Sequence, residues 1–361
     1  MIFKKLMGYG LLVGFGGIFI VGGWFGSLWS RYHDKDYVDK SQDITSNIVS
    51  KKNISAIPLV VIGSGPAGLS AAIYGARSAV KTVVFEGDIP GGQLTRTTAV
   101  ENWPGRSIIT GNEIIENLRN QAVSLGAELR YESIDSVDFS QWPYTLTLND
   151  EQVITALTVI IATGATPRVL NIPGEREYWG QGVTTCAICD APFYKNREVI
   201  VVGGGDAAVE EALQLSAYAK KITLIVRAQT MRALASGQER IKNNPKISCI
   251  YTTQVTEIYG DDSGVTGVRL LNNTTGEIVD FPTDGVFLAI GHTPNTDLFS
   301  RYIACDEHGY ITMSDRTQKT SLPGVFAAGD VEDSRYRQAG VAAGRGICAA
   351  LDAVAFLAEL K

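Results

Sequence analysis

A glycine pattern that occurs twice restricts the possible folds of this chain more than any other feature. The first copy, Gly63-x-Gly65-x-x-Gly68, follows the apolar run IPLVVI and precedes an alanine-rich stretch and a second apolar run that ends at Glu86. This order is typical of a strand, a tight turn, a helix and a second strand. The glycines let the backbone approach a pyrophosphate, and the glutamate can accept hydrogen bonds from a ribose. The segment predicts a dinucleotide site, in preference to a glycine-rich loop that binds nothing.

The second copy, Gly203-x-Gly205-x-x-Ala208, also follows a Val/Ile-rich run and precedes an alanine-rich stretch, and Asp206 stands inside it. A single motif of this kind is weak, but two copies with the same flanking pattern support each other. The sequence therefore predicts an α/β fold with two Rossmann-like dinucleotide-binding domains.

The two copies differ at the end of the second predicted strand. Val226 stands where the first copy has Glu86, and Arg227 and Arg232 follow it. A carboxylate here would repel a 2′-phosphate, whereas arginines can pair with one. The second site is therefore predicted to bind NADPH in preference to NADH, with solvated surface arginines as the alternative.

A second repeated pattern indicates how the domains are connected. The segments ATGATP (162–167) and AIGHTP (289–294) each follow an apolar run and contain glycine and proline, which are typical of a passage between domains. We expect the first domain to comprise 54–167 and 292–361, and the second domain, 168–291, to be inserted into it.

The N-terminal region differs from the rest of the chain because residues 6–30 contain no charged side chain. A helix of this length would span roughly 38 Å, enough for a hydrocarbon core of about 30 Å. This favours an uncleaved single-pass transmembrane helix over a cleaved signal peptide, with 31–53 as a polar tether. Charges on the two sides of the span are nearly balanced, so we expect a cytoplasm-facing catalytic domain because NADPH is supplied there.

Composition excludes some functions and isolates one cysteine pair. The net charge of −6 and the lack of a basic cluster argue against nucleic acid as a partner. Cys186 and Cys189 form a C-x-x-C motif, whereas Cys249, Cys305 and Cys348 are isolated and are expected to be small buried residues. Zinc would need two more ligands, and a staple over so short a loop would stabilise little. A redox-active pair is the favoured interpretation, and no metal is expected.

Seven motifs in order resemble low-molecular-weight thioredoxin reductase, a two-domain flavoprotein of the pyridine nucleotide-disulfide oxidoreductase superfamily. They are GSGPAG, PGGQLTRTTAVENWPG, IATGA, CAICD, GGGDAAVEEA, AIGHTPNT and GVFAAGDVEDSRYRQA. The resemblance covers the chain from about Pro58 to the C-terminus. It implies FAD in the discontinuous first domain, NADPH in the inserted domain and a homodimer.

The resemblance also implies which residues bind each dinucleotide. Those expected at FAD are Gly63, Ser64, Gly65, Pro66, Ala67, Gly68, Glu86, Gly92, Gln93, Leu94, Asn102, Gly329, Asp330, Arg337, Gln338 and Ala339. Those expected at NADPH are Gly203, Gly205, Asp206, Ala208, Arg227 and Arg232.

The same resemblance implies the reaction. Electrons would pass from NADPH through FAD to the disulfide of Cys186 and Cys189, and from the resulting dithiol to a disulfide of thioredoxin. Cys189 would face the flavin, Cys186 would attack the partner disulfide, and Asp190 would handle the proton. An N-terminal helix carboxylate is the simpler interpretation of Asp190. The inserted domain would rotate about the two junctions at 162–167 and 289–294.

One motif departs from the family pattern. The family has H-R-R-x-x-x-R at the NADPH site, and this chain has VRAQTMR, with Val226 and Ala228 at two of those positions. The change is expected to weaken discrimination against NADH by about 1–3 kcal/mol. Three other functions remain as alternatives: the flavoprotein subunit of alkyl hydroperoxide reductase, a dithiol oxidase that passes electrons to oxygen, and a tethered redox-sensing binding module.

Overall fold

The computed structural model describes residues 56–97 and 99–360, so the predicted anchor and tether lie outside the described residues. The strands of the described part are β1 Ile57–Ile62, β2 Thr82–Phe85, β3 Glu128–Arg130, β4 Ile134–Asp138, β5 Tyr144–Leu148, β6 Val153–Ile161, β7 Ala165–Pro167, β8 Val183–Thr184, β9 Glu198–Val202, β10 Lys221–Ile225, β11 Ile247–Ile250, β12 Thr253–Asp261, β13 Gly264–Asn272, β14 Ile278–Pro282, β15 Gly285–Leu288, β16 His292–Pro294 and β17 Val325–Ala327. Its α-helices are α1 Pro66–Arg77, α2 Gly111–Ser124, α3 Ala187–Asp190, α4 Asp206–Leu215, α5 Ala235–Lys242 and α6 Ala339–Glu359.

The first glycine motif follows the carboxyl end of β1, an inner strand of a mostly parallel sheet. Strands β3, β2, β1 and β6 are parallel neighbours in that order, β17 is parallel to β6, and β5 and β4 extend the sheet in antiparallel pairs. In β1, Val60 and Ile62 pack into the core on one face, and Leu59 and Val61 into the core on the other. A strand buried on both faces needs an unbroken apolar run, which is why IPLVVI precedes the motif.

The second glycine motif repeats this construction in a separate sheet. Strands β11, β10, β9, β15 and β8 are all parallel, and β12, β13 and β14 form an antiparallel sheet beside them. Val199 and Val201 of β9 pack into one core, and Ile200 and Val202 into another. The prediction of an α/β fold with two Rossmann-like units is confirmed, and each unit has its own hydrophobic core.

Two chain segments connect the sheets, and they pair with each other. Strand β7 leads out of the first sheet, β16 leads back to it, and the two form an antiparallel pair in which Pro167 lies opposite His292. All strands of the second sheet lie between these segments in the sequence. The domain limits at 167/168 and 291/292 stay a prediction.

The last helix, α6, packs against α1 beneath the first sheet. Its residues Ala349, Ala350 and Ala353 are fully buried in the core formed with α1. Within residues 56–97 and 99–360, α6 is also the one helix long and apolar enough to span a membrane, a test that core helices of soluble proteins pass as well. The predicted span at 6–30 lies outside the described residues.

Candidate active site

The turn between β1 and α1 leaves space for a ligand. Gly63 has φ +103°, and a Cβ there would lie 2.4 Å from the Ala162 carbonyl oxygen. A Cβ on Gly65 would meet no protein atom closer than 4.0 Å. Gly65 is also the N-cap of α1 and provides no side-chain cap, so the first N–H groups of the helix are free for an anion. Packing therefore requires Gly63, whereas the open space at Gly65 fits a pyrophosphate.

Most of the residues expected at FAD line one cavity of about 500 Å³. They are Gly63, Ser64, Gly65, Pro66, Ala67, Glu86, Gly92, Gln93, Leu94, Gly329, Asp330 and Ala339. The Ser64 hydroxyl accepts a hydrogen bond from the Gly91 N–H at 2.8 Å. Gly68 has a packing role instead, because a Cβ there would lie 1.9 Å from the Gly63 carbonyl oxygen.

The carboxylate of Glu86 is fixed before any ligand arrives. Glu86 follows β2 directly, and its side chain is fully buried and paired with Arg119 of α2. One of its oxygens, Oε2, forms that pair, while Oε1 is buried without a hydrogen-bond partner in the described part of the chain. An unpaired buried oxygen beside a cavity fits a ribose hydroxyl donor. Arg119 was not among the predicted site residues.

The turn of the second motif has the same backbone geometry as the first, but different side chains surround it. Gly203 has φ +152° and lies against Ala289, whereas a Cβ on Gly205 would meet no atom within 4 Å. Gly205 is the N-cap of α4 and again provides no side-chain cap. Ala208 is fully buried beneath this turn, and the Asp206 carboxylate accepts a hydrogen bond from the Leu234 N–H at 2.8 Å.

Arg227 and Arg232 lie beside this second turn, and both are exposed. The Arg232 N–H donates to the Gly204 carbonyl at 2.7 Å, which holds that loop against the glycine motif. Neither guanidinium forms an ion pair with any other residue that the structure describes. Two unpaired cations beside an open turn are suited to a 2′-phosphate. Val226 is buried and provides no polar group.

Cys186 and Cys189 form a disulfide at the start of α3, with their Cα atoms 5.3 Å apart. The redox-active pair expected from the sequence is thus joined as a disulfide. Cys186 is the N-cap of α3, and its sulfur accepts a hydrogen bond from the Cys189 N–H at 3.2 Å. From the other domain, the Gln338 amide nitrogen lies 3.9 Å from the Cys186 sulfur and the Asn102 amide donates to Gln338 at 3.1 Å.

Asp190 lies beside the disulfide in the same short helix. Burial raises the pKa of its carboxyl above the usual value, and a hydrogen bond from the Thr184 hydroxyl opposes that rise. A carboxyl that holds its proton more tightly than usual can serve as an acid at a higher pH. Thr184, two residues before the C-x-x-C motif, was not predicted.

A cavity of about 460 Å³ surrounds the disulfide and is lined by both domains. Asn102, Asp330, Arg337 and Gln338 line it from the first domain. The Arg337 guanidinium lies 3.2 Å from His292 Nδ1, and burial, then Arg337, lowers the pKa of His292 to about 4.

Glu211 and Gln214 of α4 line the cavity as well, and sequence reasoning missed both. The helical period gives a signal for Glu211, which lies three residues after buried Ala208 and four before buried Leu215.

The other cysteines correct one expectation. Cys249 and Cys305 are half-buried and Cys348 is exposed on α6, so the prediction of small buried residues is wrong for Cys348. In α6, Ala349 and Ala350 are buried against the core, whereas Cys348 lies on the exposed side of the helix. Among the described residues, no three His, Cys, Asp or Glu side chains are grouped so that they could hold a metal ion.

Known proteins resemble this chain over most of its length. Residues 57–346 match the family described as pyridine nucleotide-disulphide oxidoreductase. The chain is 48% identical over 302 residues to a thioredoxin reductase of Rickettsia felis, covering 83% of this chain and 97% of the relative.

Two solved structures are informative. Thioredoxin reductase from Giardia duodenalis matches with a TM-score of 0.80 and 43% identity, over 83% of this chain and 98% of that one. Lactococcus lactis thioredoxin reductase, described as the FR conformation, has 38% identity over 83% and 99% of the two chains but a TM-score of only 0.57. With two nucleotide motifs, a disulfide between them and these relatives, the chain belongs to the pyridine nucleotide-disulphide oxidoreductase family, in the group of low-molecular-weight thioredoxin reductases.

Proposed function

We infer that this chain is an NADPH-dependent thioredoxin-disulfide reductase that uses FAD. Relatives of 43–48% identity over nearly their whole length are thioredoxin reductases. The observation that carries the proposal is the position of the Cys186–Cys189 disulfide in a cavity lined by both nucleotide-binding units. A disulfide in that position can exchange electrons with a cofactor on one side and a partner protein on the other.

The two glycine turns would hold the two dinucleotides. FAD would lie in the cavity at Gly65, with its pyrophosphate at the N-terminus of α1 and a ribose hydroxyl at Glu86 Oε1. NADPH would lie at Gly205, with its 2′-phosphate at Arg227 and Arg232. FAD supplies the two-electron relay between NADPH and the disulfide when it is bound.

Each residue of the C-x-x-C-D motif would have its own role. Cys189 faces the flavin side, and Cys186 attacks the partner disulfide as a thiolate. Asp190 returns a proton to the partner sulfur that leaves. In the complete exchange, two enzyme thiols are oxidised to a disulfide and one partner disulfide is reduced to two thiols.

The paired strands β7 and β16 would serve as the hinge for a rotation of the inserted domain. The two solved relatives support this proposal, because their identities differ by only five percentage points while their TM-scores are 0.80 and 0.57. Similar sequences with such different overall agreement are expected when two rigid domains change their mutual orientation.

Two further features complete the proposal: the enzyme is a homodimer, and it is held at a membrane. Residues 6–30 form the membrane anchor, and the catalytic domain faces the cytoplasm. Protease added to intact cells or spheroplasts should leave the chain beyond Arg31 uncut, and cleavage from outside would contradict this orientation. Analytical ultracentrifugation of the detergent-solubilised full chain should give the mass of a dimer.

The activity is tested with purified full chain, NADPH, thioredoxin and a chromogenic disulfide. Colour should depend on thioredoxin, and Cys186→Ser should abolish it. In a parallel NADPH titration, flavin absorbance should show that the variant still takes electrons from NADPH. Hydrogen peroxide production without thioredoxin-dependent colour would indicate a dithiol oxidase instead.

A further inference from the structure

The loop after β10, which carries Arg227, is held by the turn 273–277 between β13 and β14. The Arg227 carbonyl accepts a hydrogen bond from the Asn273 side-chain amide at 3.0 Å, and the Ala228 carbonyl accepts one from the Thr252 N–H at 3.0 Å. The bond to Ala228 comes from a backbone N–H, which any residue except proline can supply. The bond to Arg227 needs a side-chain donor of the right length, so it depends on the identity of Asn273.

The position of Asn273 is itself fixed by neighbouring residues. Its backbone N–H donates to the Thr252 carbonyl at 2.6 Å. The side-chain oxygen of Asn272 accepts hydrogen bonds from the Thr274 N–H at 2.9 Å and the Thr275 N–H at 3.0 Å. Local bonds of this kind, from an asparagine side chain to the backbone two or three residues on, hold a turn in one shape. The Asn273 amide is therefore directed at the loop after β10 before any ligand binds.

The two arginines beside the second glycine turn are held in different ways. The Arg232 backbone is attached to the glycine turn through the bond from its N–H to the Gly204 carbonyl, whereas the Arg227 backbone is attached to Asn273. Both guanidinium groups are exposed and form no ion pair with other residues that the structure describes. Ala228 adds no third cation. A long, exposed side chain loses less freedom on binding when its own backbone is already fixed.

We propose that Asn273 is a positioning residue for the 2′-phosphate of NADPH, because it fixes the Arg227 peptide and so directs the Arg227 guanidinium. The turn between β13 and β14 is then a determinant of the preference for NADPH over NADH, although it lies outside the glycine motif and the arginine loop. This inference rests on the proposed site of NADPH at Gly205.

The test measures nucleotide binding to the FAD-loaded full chain by isothermal titration calorimetry. The ligands are adenosine 2′,5′-bisphosphate and 5′-AMP, which lacks the 2′-phosphate. Asn273→Ala should weaken binding of the bisphosphate by about threefold to tenfold, the effect of losing one hydrogen bond. The affinity for 5′-AMP should stay at the wild-type value. Thr274→Ala, an exposed neighbour in the same turn, is the matched control and should bind both ligands as wild type does.

A double variant separates positioning of Arg227 from a general structural role. Arg227→Ala should weaken bisphosphate binding by roughly tenfold. In that background N273A should cause no further loss, because Asn273 acts through Arg227. Wild-type affinity of N273A for the bisphosphate would overturn the inference. Equal losses for the bisphosphate and 5′-AMP, or losses that add in the double variant, would overturn it as well.

Steady-state assays with thioredoxin distinguish this inference from the proposed function. N273A should raise KM for NADPH and leave kcat and the values for NADH unchanged. If bisphosphate binding follows the expected pattern but no thioredoxin-dependent colour forms, the proposed function is wrong and the role of Asn273 is supported. If wild type reduces thioredoxin with NADPH but R227A binds the bisphosphate as wild type does, the reductase function stands and the role of Asn273 is wrong.

Discussion

The two nucleotide-binding turns share one backbone design and differ in how charge is presented beside it. At the first turn, Glu86 is fully buried and held by Arg119, whose side chain is 25% exposed. At the second turn, Val226 is buried and the charges belong to Arg227 and Arg232, both of which are exposed and unpaired among the described residues.

This difference separates a fixed site from an accessible one. A buried, paired carboxylate is organised before binding, so little side-chain entropy is lost when its ligand arrives. Exposed arginine side chains are ordered only when a ligand binds, so each binding event costs side-chain entropy. That cost weakens binding and favours release of the ligand. The first arrangement is suited to a resident FAD, and the second to NADPH, which must enter and leave in every turnover.

The largest expected effect tests the fixed site. Arg119→Met leaves the buried Glu86 carboxylate without its partner and should lower the free energy of unfolding of the apoprotein by about 3 kcal/mol. FAD affinity should fall as well, because Glu86 is no longer held in place. Urea unfolding of the apoprotein and fluorescence titration with FAD measure the two effects.

A matched control for that change is Arg130→Met. Arg130 pairs with Glu128, but their side chains are 27% and 46% exposed, so its loss should cost less than about 1 kcal/mol. Equal losses in the two variants would mean that burial of Glu86 is not what makes the first site rigid.

An intermediate effect tests the accessible site. Arg227→Ala and Arg232→Ala should each lower kcat/KM for NADPH by roughly tenfold, the equivalent of about 1.4 kcal/mol, which is close to the lower end of the range for a charged hydrogen bond. The value for NADH should hardly change, because NADH has no 2′-phosphate. Ala228→Arg restores a second adjacent arginine and should raise the preference for NADPH. Arg240→Ala on α5 serves as the control, and parallel losses with NADPH and NADH would contradict a 2′-phosphate contact.

The smallest effect on stability tests the feature that the sites share. Alanine at Gly65 or Gly205 meets no protein atom within ordinary contact distance, and both residues have negative φ values. Each substitution replaces an acceptable N-cap residue with a poorer one and should lower the free energy of unfolding by no more than about 1 kcal/mol. Gly65→Ala should nevertheless weaken FAD binding, and Gly205→Ala should raise KM for NADPH. Unchanged FAD affinity in Gly65→Ala and an unchanged KM for NADPH in Gly205→Ala would show that no pyrophosphate approaches these turns. Unfolding curves of the same variants measure the effect on stability.

Sequence reasoning was strongest where the signal is local. The strand, turn and helix around Gly65 and Gly205, and the disulfide of Cys186 with Cys189, depend on neighbouring residues and were predicted. Arg119 was not, because its contact with Glu86 depends on how α2 packs against the sheet. Glu211, which is half-buried and has a buried Oε2, was missed for a related reason: a glutamate on a helix is usually exposed, and the packing of α3 on α4 is not specified by either segment alone.

Cys348 shows the opposite error, because it was predicted to be buried and is exposed. Its small apolar side chain favoured burial, but α6 buries alanines against α1 and leaves Cys348 exposed. Which side of an apolar helix meets the core is decided by the partner helix, and no local pattern specifies that partner.

The pairing of β17 with β6 has a consequence for biosynthesis. Residues Val159–Ile161 of β6 take their neighbours Val325–Ala327 from beyond the whole inserted segment. A ribosome therefore completes every strand of the second sheet before it delivers the last strand of the first. Since domains generally fold as units during synthesis, the inserted unit can reach its final structure while the sheet that surrounds it in sequence still has an open edge. The nascent FAD unit must keep that edge unpaired until the C-terminal segment emerges.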